Sequence, residues 1–513
     1  IGGTQPRDKR AVALLCRARL AECVTDAQGK TWIAERYKAV SERRCAQMIH
    51  VLQQAQPMWP AADELGLDPA TDAHQIGELA KALSSPVALL TGSPGTGKTH
   101  CAAAVIRATL RGHGCKVAVC APTGKAAVRI SEKLADAGLP IKATTVHALL
   151  KVSPVEGGHG DGWGFAHGPD NPLPYSHVFL DETSMMDVGL SACLLSALTP
   201  SANLMLIGDK HQLPPVGHGA FLRDLIAADL PRGELSEIRR NAGRIVTACH
   251  EIKDGKTPRL PDDLGAWTKD DKANLIQLPW PKGTGRDRGQ AMRERLDYLY
   301  DWLGALPQVK EWKWSLIDDV QVIVARNATR TALNTHLQQR LNAAGQKGPH
   351  GPYRVGDKVI CLKNGFVIDA EDRNHKQVFC CNGDVGRVKG FHGKQMVVKL
   401  ANPTRTVLVP LTKAAKQEQA QSEETAGVGG NWDLAYAVTC WKYQGSEVQV
   451  AICLLEPAGR LGSRELAYTM ISRARSLCVV LGDQQELRKY VGNVTLPARK
   501  TFLRELLKGE MPG

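Results

Sequence analysis

The chain has 513 residues, 43% of them hydrophobic, and carries 65 Lys and Arg against 52 Asp and Glu, a net charge of +13. A chain of this length holds roughly three to four domains with sizeable cores, which excludes a single small binding module. The positive excess points to an anionic partner such as nucleic acid, a trait shared with ribosomal and membrane-surface proteins. The longest apolar runs, such as PVALL at 86–90, fall far short of the roughly 20 residues a spanning helix needs, so the chain reads as soluble with no membrane partner. It begins IGGTQPRDKR without a methionine, as a trimmed or cut terminus would, and no charged-then-apolar leader is readable. A cytoplasmic place is therefore expected, in a bacterium or for a phage-encoded protein in its host. Fourteen cysteines lie scattered with no C-x-x-C, so they read as reduced, mostly structural thiols rather than a zinc module or a disulfide framework.

Residues 1–72 read as a helical N-terminal segment, notably TWIAERYKAVSERRCAQMIHVLQQAQ at 31–56. Its first 50 residues hold ten Lys and Arg against five Asp and Glu, which suits either a DNA-facing cap or an amphipathic helix packed on the next domain. From 75 to about 240 the pattern becomes β-α alternation. PVALLTG, CKVAVCAPT, HVFLDE and NLMLIGD are short apolar strands ending in polar turns. Continuous apolar strands imply a parallel sheet covered on both faces, with its ligand site at the carboxyl ends. The stretch 156–176, EGGHGDGWGFAHGPDNPLPYS, is too rich in Gly, Pro and Asn for a helix and reads as a protruding hairpin or loop. A second α/β segment starts near 316. YRVGDKVICLKNG and FCCNGDVGRVKGFHGKQMVVKLA then give short alternating strands with Asn-Gly and His-Gly turns, as in a small antiparallel barrel. The Gln-rich, charged stretch 412–431 reads as a solvated excursion.

The stretch TGSPGTGKTH at 91–100 contains every fixed position of G-x-x-x-x-G-K-[ST], between an apolar strand and a helical run. Gly92, Gly95 and Gly97 would let backbone N–H groups wrap phosphates, with Lys98 neutralising the β- and γ-phosphates and the Thr99 hydroxyl reaching Mg²⁺. The expected ATP site spans Gly92, Ser93, Pro94, Gly95, Thr96, Gly97, Lys98, Thr99 and His100. About 80 residues on, HVFLDETSMM supplies Asp181 for the metal and Glu182 to polarise the attacking water. Gln212, Arg240 and Arg473 are candidate sensors and stabilisers of charge at the γ-phosphate.

With these stretches in order, the sequence resembles a superfamily 1 DNA helicase of the RecD-like branch that also includes Dda of bacteriophages. The resemblance covers residues 75 to about 483. TGSPGTGKT matches motif I, APTGKAA (121–127) motif Ia, TTVHALL (144–150) the Thr-x-His motif and LDETSM motif II. GDKHQLPPVGHGAF matches motif III, LSEIRRN motif IV, TCWKYQGSE (439–447) motif V and YTMISRAR motif VI. Gln75 sits where such helicases carry an adenine-recognising glutamine. In motif V, Trp441 and Tyr443 stand where relatives carry His and Ser, and motif IV reads Arg239-Arg240-Asn241 in place of Phe-Arg-Gln, leaving Arg239 a rival to Arg240.

The resemblance implies an α/β fold of two RecA-like P-loop motor domains, 73–240 and 241–349 with 433–513. It implies a pin-like β-hairpin insertion at about 151–176 and a small Src-homology-like β-barrel inserted at 350–432. ATP would lie in the cleft, with Lys98, Thr99, Asp181, Glu182 and Gln212 on one side and Arg473 and Arg240 reaching across. Thr123, Lys125, His147, Thr439 and Gln444 would line a single-strand groove through contacts that do not read sequence. His147 could instead be a core histidine. Trp163 and Phe165, with Trp441, would stack bases or wedge the fork, or pack within their own domains.

The function implied is ATP- and Mg²⁺-dependent translocation 5′ to 3′ on single-stranded DNA and unwinding at single-strand/duplex junctions. Other replication or recombination proteins are further expected partners. Two alternatives stand beside it: a motor subunit or fragment of a larger recombination or conjugation enzyme, and a non-hydrolysing single-strand-binding scaffold.

Overall fold

The computed structural model describes residues 9–26, 29–154, 163–237, 243–265, 267, 272–280, 288–307, 311, 313–372, 376–401, 404–411, 432–457 and 459–510. Helix α1 (Lys9–Arg17) precedes an antiparallel pair, β1 (Ala21–Thr25) and β2 (Thr31–Glu35), and then α2 (Arg36–Gln53) and α3 (Pro69–Ala82). The N-terminal segment is thus not wholly helical. The helix expected from Thr31 begins at Arg36, because Thr31–Glu35 pairs in register with Ala21–Thr25 and the β-branched Thr31 and Ile33 suit a strand. Cys45, Ala46, Ile49 and Leu52 of α2 are buried against the next domain, which is the packed alternative for this helix.

The first parallel sheet is built from β3 (Val87–Gly92), β4 (Val117–Ala121) and β5 (Thr144–Thr145). After them β6 (Val152–Pro154) and β7 (Trp163–Phe165) form a separate antiparallel pair, flanking the expected pin, whose residues 155–162 lie outside the described residues. Strands β8 (His177–Leu180), β9 (Asn203–Gly208) and β10 (Arg232–Leu235) complete the sheet in the order β10-β3-β9-β8-β4-β5. All its pairings are parallel. Along β3, Val87 and Leu89 enter one core while Ala88 and Leu90 enter the other, so helices cover both faces. Helices α4 (Lys98–Thr109) and α5 (Gly124–Asp136) follow β3 and β4 directly.

A second all-parallel sheet has the order β11-β22-β21-β12-β20. It uses β11 (Leu275–Leu278) and β12 (Val320–Val324), then departs into seven antiparallel strands. These are β13 (Lys358–Cys361), β14 (Gly365–Asp369), β15 (Gln377–Cys380), β16 (Val385–His392), β17 (Gln395–Leu400), β18 (Arg405–Pro410) and β19 (Trp432–Leu434), in the order β15-β14-β18-β17-β16-β13-β19. The stretch 412–431 lies outside the described residues. The chain then returns through β20 (Ala437–Thr439), β21 (Val448–Leu454) and β22 (Ala474–Leu481). Val320, Val322 and Val324 share one core with Val359, Val398 and Val407, so the antiparallel unit is fused to the second sheet rather than tethered.

The final residues depart from the expected 433–513 unit. After the helix Gln484–Gly492 the chain crosses back to the first domain. Arg223 donates to the carbonyls of Leu496 (2.8 Å) and Arg499 (2.9 Å), and Arg499 donates to those of Gly217 (3.0 Å) and Gly219 (2.8 Å). Phe502, Leu503 and Leu506 then enter the core under α2, and the buried Glu42 of α2 accepts from the Phe502 amide at 2.8 Å. The physical reason is the apolar spacing at 502, 503 and 506, which gives a short helix one buried stripe. Phe502→Ala should therefore cost about 3–4 kcal/mol of stability in denaturant unfolding, as expected for a buried aromatic. A loss under about 1 kcal/mol, the range of an exposed site, would place the tail outside the core.

Candidate nucleotide cleft between two parallel sheets

The phosphate loop is shaped by its glycines. A Cβ on Gly92 would stand 2.6 Å from Thr96 Oγ1 and 2.9 Å from the Leu235 carbonyl, so only glycine lets β3 end against β10. Gly95 and Gly97 take φ values of +84° and +91°, turning the chain into α4, whose first N–H groups then face the loop. Thr96 is buried behind the loop, its hydroxyl donating to the Ser93 carbonyl at 2.8 Å. Lys98 Nζ folds across the mouth, donating to the carbonyls of Gly92 (2.5 Å) and Ser93 (3.1 Å). Ser93, Pro94, Gly95, Gly97, Lys98, Thr99 and His100 line a cleft of about 730 Å³. Gln75 is not among the residues lining this cleft; it is fully buried in α3, and neither its Oε1 nor its Nε2 has a hydrogen-bond partner among the described residues. Such an orphan amide is costly unless something outside the chain satisfies it.

The carboxylates stand where β8 ends. Asp181 and Glu182 are both buried, and the Glu182 amide donates to Asp181 Oδ1 at 2.7 Å. Glu182 holds φ +55°, a conformation uncommon for a residue with a side chain. Burial and the neighbouring Glu182 charge raise the Asp181 carboxyl above its ordinary range. Burial acts the same way on Glu182, but Arg129, Arg473 and Lys98 outweigh it and hold that carboxyl below the usual range.

The second sheet closes the cleft. Arg473, nearly fully buried, donates from Nε to the Thr469 carbonyl (2.9 Å) and from Nη2 to Ser472 Oγ (2.9 Å), and it lines the cleft opposite Lys98. Gln212 reaches the same cleft from beyond β9, and its buried Oε1 lacks a partner among the described residues. Bonds cross between the domains beside it. The Leu213 amide donates to Thr469 Oγ1 (2.9 Å), Gln444 Nε2 to the Leu213 carbonyl (2.7 Å), and the Tyr468 hydroxyl to Asp209 Oδ2 (2.6 Å). Arg239, Arg240 and Asn241 lie outside the described residues, so the expected motif IV contact has no geometry here.

Two residues that the sequence reading missed stand at the centre. Arg129 of α5 donates to Glu182 Oε1 (2.5 Å) and to Glu447 Oε1 (2.7 Å), bridging motif II and motif V. Arg475 reaches the other Glu447 oxygen at 3.1 Å; burial would raise the Glu447 carboxyl, but Arg129, Lys133, Arg473 and Arg475 outweigh it and hold it down at about 2. One signal was available in sequence: Arg129 lies four residues after Lys125 in the same helix, on the same face.

The residues expected to meet DNA sit closer to protein than that role suggests. Thr123 Oγ1 caps α5 by accepting from the Ala126 amide at 3.3 Å. Lys125 lies 4.6 Å over the Tyr443 ring, and burial together with the Lys358 charge pushes its amine down to about 7. His147 is buried, stacked on Phe379 at 5.6 Å and near Phe165 at 5.8 Å, and burial pushes it down to about 4. Phe165 is half-buried against the first core, and Trp441 against a core of the second domain, the packing alternative for both. Thr439 and Gln444 are buried, the latter turned to the Leu213 carbonyl rather than to an open groove. Trp163 opens β7.

Comparison with known proteins agrees with the motif order. The AAA domain family model matches residues 75–218, and the UvrD-like helicase C-terminal domain matches 434–481. The ATP-dependent RecD2 DNA helicase of Deinococcus radiodurans is 30% identical over 468 residues, covering 89% of this chain and 55% of that protein. This chain therefore spans only about half the length of that relative. The RecBCD enzyme subunit RecD of Mycobacterium tuberculosis is 28% identical over 92% of this chain and 79% of its own. The ATP-dependent DNA helicase dda of Enterobacteria phage T4 is 31% identical over 33% of this chain and 38% of that protein. Among solved structures, Pif1 helicase from Candida albicans is similar at a TM-score of 0.43 and 18% identity, covering 82% of this chain and 95% of that one. A phosphate loop, paired carboxylates and an arginine brought across from a second parallel sheet accompany this similarity to RecD2, RecD and Dda, the RecD-like and Dda-like branch of superfamily 1 helicases.

Proposed function

We propose that the chain is an ATP-driven DNA motor that translocates 5′ to 3′ on single-stranded DNA and unwinds duplex at the junction. One observation carries this reading: Lys98, Asp181, Glu182 and Gln212 from the first sheet domain and Arg473 from the second line a single cleft. A site divided in this way is completed only when the domains close, so hydrolysis and domain motion are one event.

The nucleotide fits the groups present. Lys98 exchanges its carbonyl partners for β- and γ-phosphate oxygens, and the α4 N–H groups take the rest. The orphan amide of Gln75 supplies a donor and an acceptor, the pattern an adenine edge requires. The Thr99 hydroxyl and the Asp181 carboxylate are hard oxygen donors that would hold Mg²⁺, which neutralises charge on the transferring phosphoryl group. Glu182 orients the attacking water, Gln212 senses the γ-phosphate through its unpartnered Oε1, and Arg473 meets the charge that builds there.

The single strand would run beside Thr123, Lys125, His147, Thr439 and Gln444, with the hairpin at about 151–176 parting the duplex. The antiparallel strands from Lys358–Cys361 to Trp432–Leu434 would correspond to the Src-homology-like insertion expected at 350–432. Opening of the domains frees Gln444 from Leu213 for the strand. A second reading, a motor subunit of a larger recombination enzyme, is favoured by the 79% coverage of the RecD subunit.

Three outcomes are expected. The chain alone displaces a strand from duplexes with a 5′ tail and not from those with a 3′ tail, and Lys98→Ala abolishes both displacement and DNA-stimulated ATP hydrolysis. Unwinding from the 3′ tail alone would reverse the polarity, and absence of DNA-stimulated hydrolysis would end the motor reading. Gln75→Ala raises the KM for ATP by about tenfold, the cost of roughly one lost buried hydrogen bond; an unchanged KM removes Gln75 from the site. Trp163→Ala and Phe165→Ala reduce unwinding while translocation on single strands persists, and equal loss of both activities would reject the pin.

A further inference from the structure

Helix α5 carries Lys125, Arg129 and Lys133 at four-residue spacing, one basic stripe turned toward motif V. Motif V lies against that stripe at three points. Gly445, at φ +71°, approaches so closely that a Cβ would stand 3.1 Å from Thr123 Oγ1 and 3.2 Å from Ala126 Cβ. The Lys125 ammonium sits over the Tyr443 ring. Glu447 accepts from Arg129 Nη1.

The last contact has a second end. The same guanidinium donates through Nη2 to Glu182, so one planar fork spans the carboxylate of motif II and that of motif V. Both pairs are largely removed from solvent, where such charge-assisted bonds hold a side chain in a single orientation. An ammonium in this place would be a point charge without the fork. Of the other cations near Glu182, Arg473 directs its donors to Thr469, Ser446 and Ser472, and Lys98 donates to the Gly92 and Ser93 carbonyls. Among the described residues, Arg129 is the donor to the Glu182 side chain.

We propose that Arg129 is a positioning residue for hydrolysis: it aims Glu182, and because it is shared with Glu447, the placement of motif V sets how Glu182 is held. The inference rests on the reading of this cleft as an ATPase site. Movement of the proposed strand-binding segment relative to α5 then changes one guanidinium's partners, and that change is felt at the water-orienting carboxylate without any shift of the phosphate loop.

The test measures kcat and KM for ATP with single-stranded DNA in the full chain, with thermal melts as the folding control. R129Q is expected to lower kcat roughly 10- to 100-fold, within the range of an oriented general base, while KM changes by less than about twofold. R129K should recover part of that loss. Added to E182Q, R129Q should cost nothing further, and the R129Q/E447Q double variant should match R129Q, because residues acting as one unit are non-additive. Multiplicative losses in either cycle overturn the proposal, as does a raised KM with kcat intact, which would make Arg129 a nucleotide contact instead. If R129Q does not fold, R129K carries the same two cycles. A wild-type chain without ATPase activity overturns the reading of the cleft and this inference with it; an active wild type with additive cycles overturns the inference alone.

Discussion

Charge pairing across the cleft is the constraint on which the arrangement depends. The carboxyl-terminal ends of the strands in the first parallel sheet face the amino-terminal ends of β21 and β22 in the second, and the cleft gathers ionisable groups from both: buried Asp181 and Glu182 from one, and buried Arg473, part-buried Glu447 and exposed Arg475 from the other. Buried carboxylates in such proximity are tolerated only when cations stand between them. Arg129 is one such cation, bonded to both sides. Neutral bonds reinforce it from Leu213 to Thr469, Gln444 to Leu213 and Tyr468 to Asp209. A nucleotide entering this cleft meets a field already arranged for phosphate, with donors set in advance and little reorganisation required.

The termini act on the same geometry from outside. Helix α2 and the C-terminal residues Phe502, Leu503 and Leu506 cover one face of the first sheet together, joined through Glu42, which also accepts from His218 at 2.7 Å. His218 and the carbonyls of Gly217 and Gly219 belong to the loop that continues from Gln212. The chain that leaves the second domain after Gly492 therefore braces the loop that follows Gln212 in the first. Glu465, at the start of the helix leading to Arg473, accepts from the amides of Thr495 and Leu496 on the same crossing segment. Relative motion of the two sheets is thus constrained at the cleft by ion pairs and at the flank by a covalent strap.

Much of this was legible in the residues because the signals are local. The glycine spacing of 92, 95 and 97, the apolar runs at 87–92, 117–121, 177–180 and 203–208, and the carboxylates after the third of these depend on backbone sterics and strand burial, which act over a few residues. The helix misassigned at Thr31–Glu35 shows where that locality ends. Its residues could serve either state, and the pairing with Ala21–Thr25 decided between them. The return of Phe502 to the first domain was hidden for the same reason: four apolar positions near a terminus, Phe502, Leu503, Leu506 and Leu507, do not say which core they enter. Arg129 and Glu447 are 318 residues apart, and no pattern along the chain marks them as partners.

By itself, the sequence carried the chemical expectations: a phosphate loop, Asp181 and Glu182 as candidate metal-binding and water-orienting carboxylates, Gln212 and Arg473 as candidates for the γ-phosphate, and the alternation that makes parallel sheets. These follow from residue type and short spacing, since phosphate wrapping and strand burial require particular groups at particular intervals. The tertiary structure alone decided which of them meet. It turned Gln444 onto Leu213, stacked His147 on Phe379, left the Gln75 amide without a partner, and set one guanidinium between Glu182 and Glu447. The physical reason is that such contacts depend on how two separately formed sheets close on each other, and burial makes each of them strong only after that closure has excluded water.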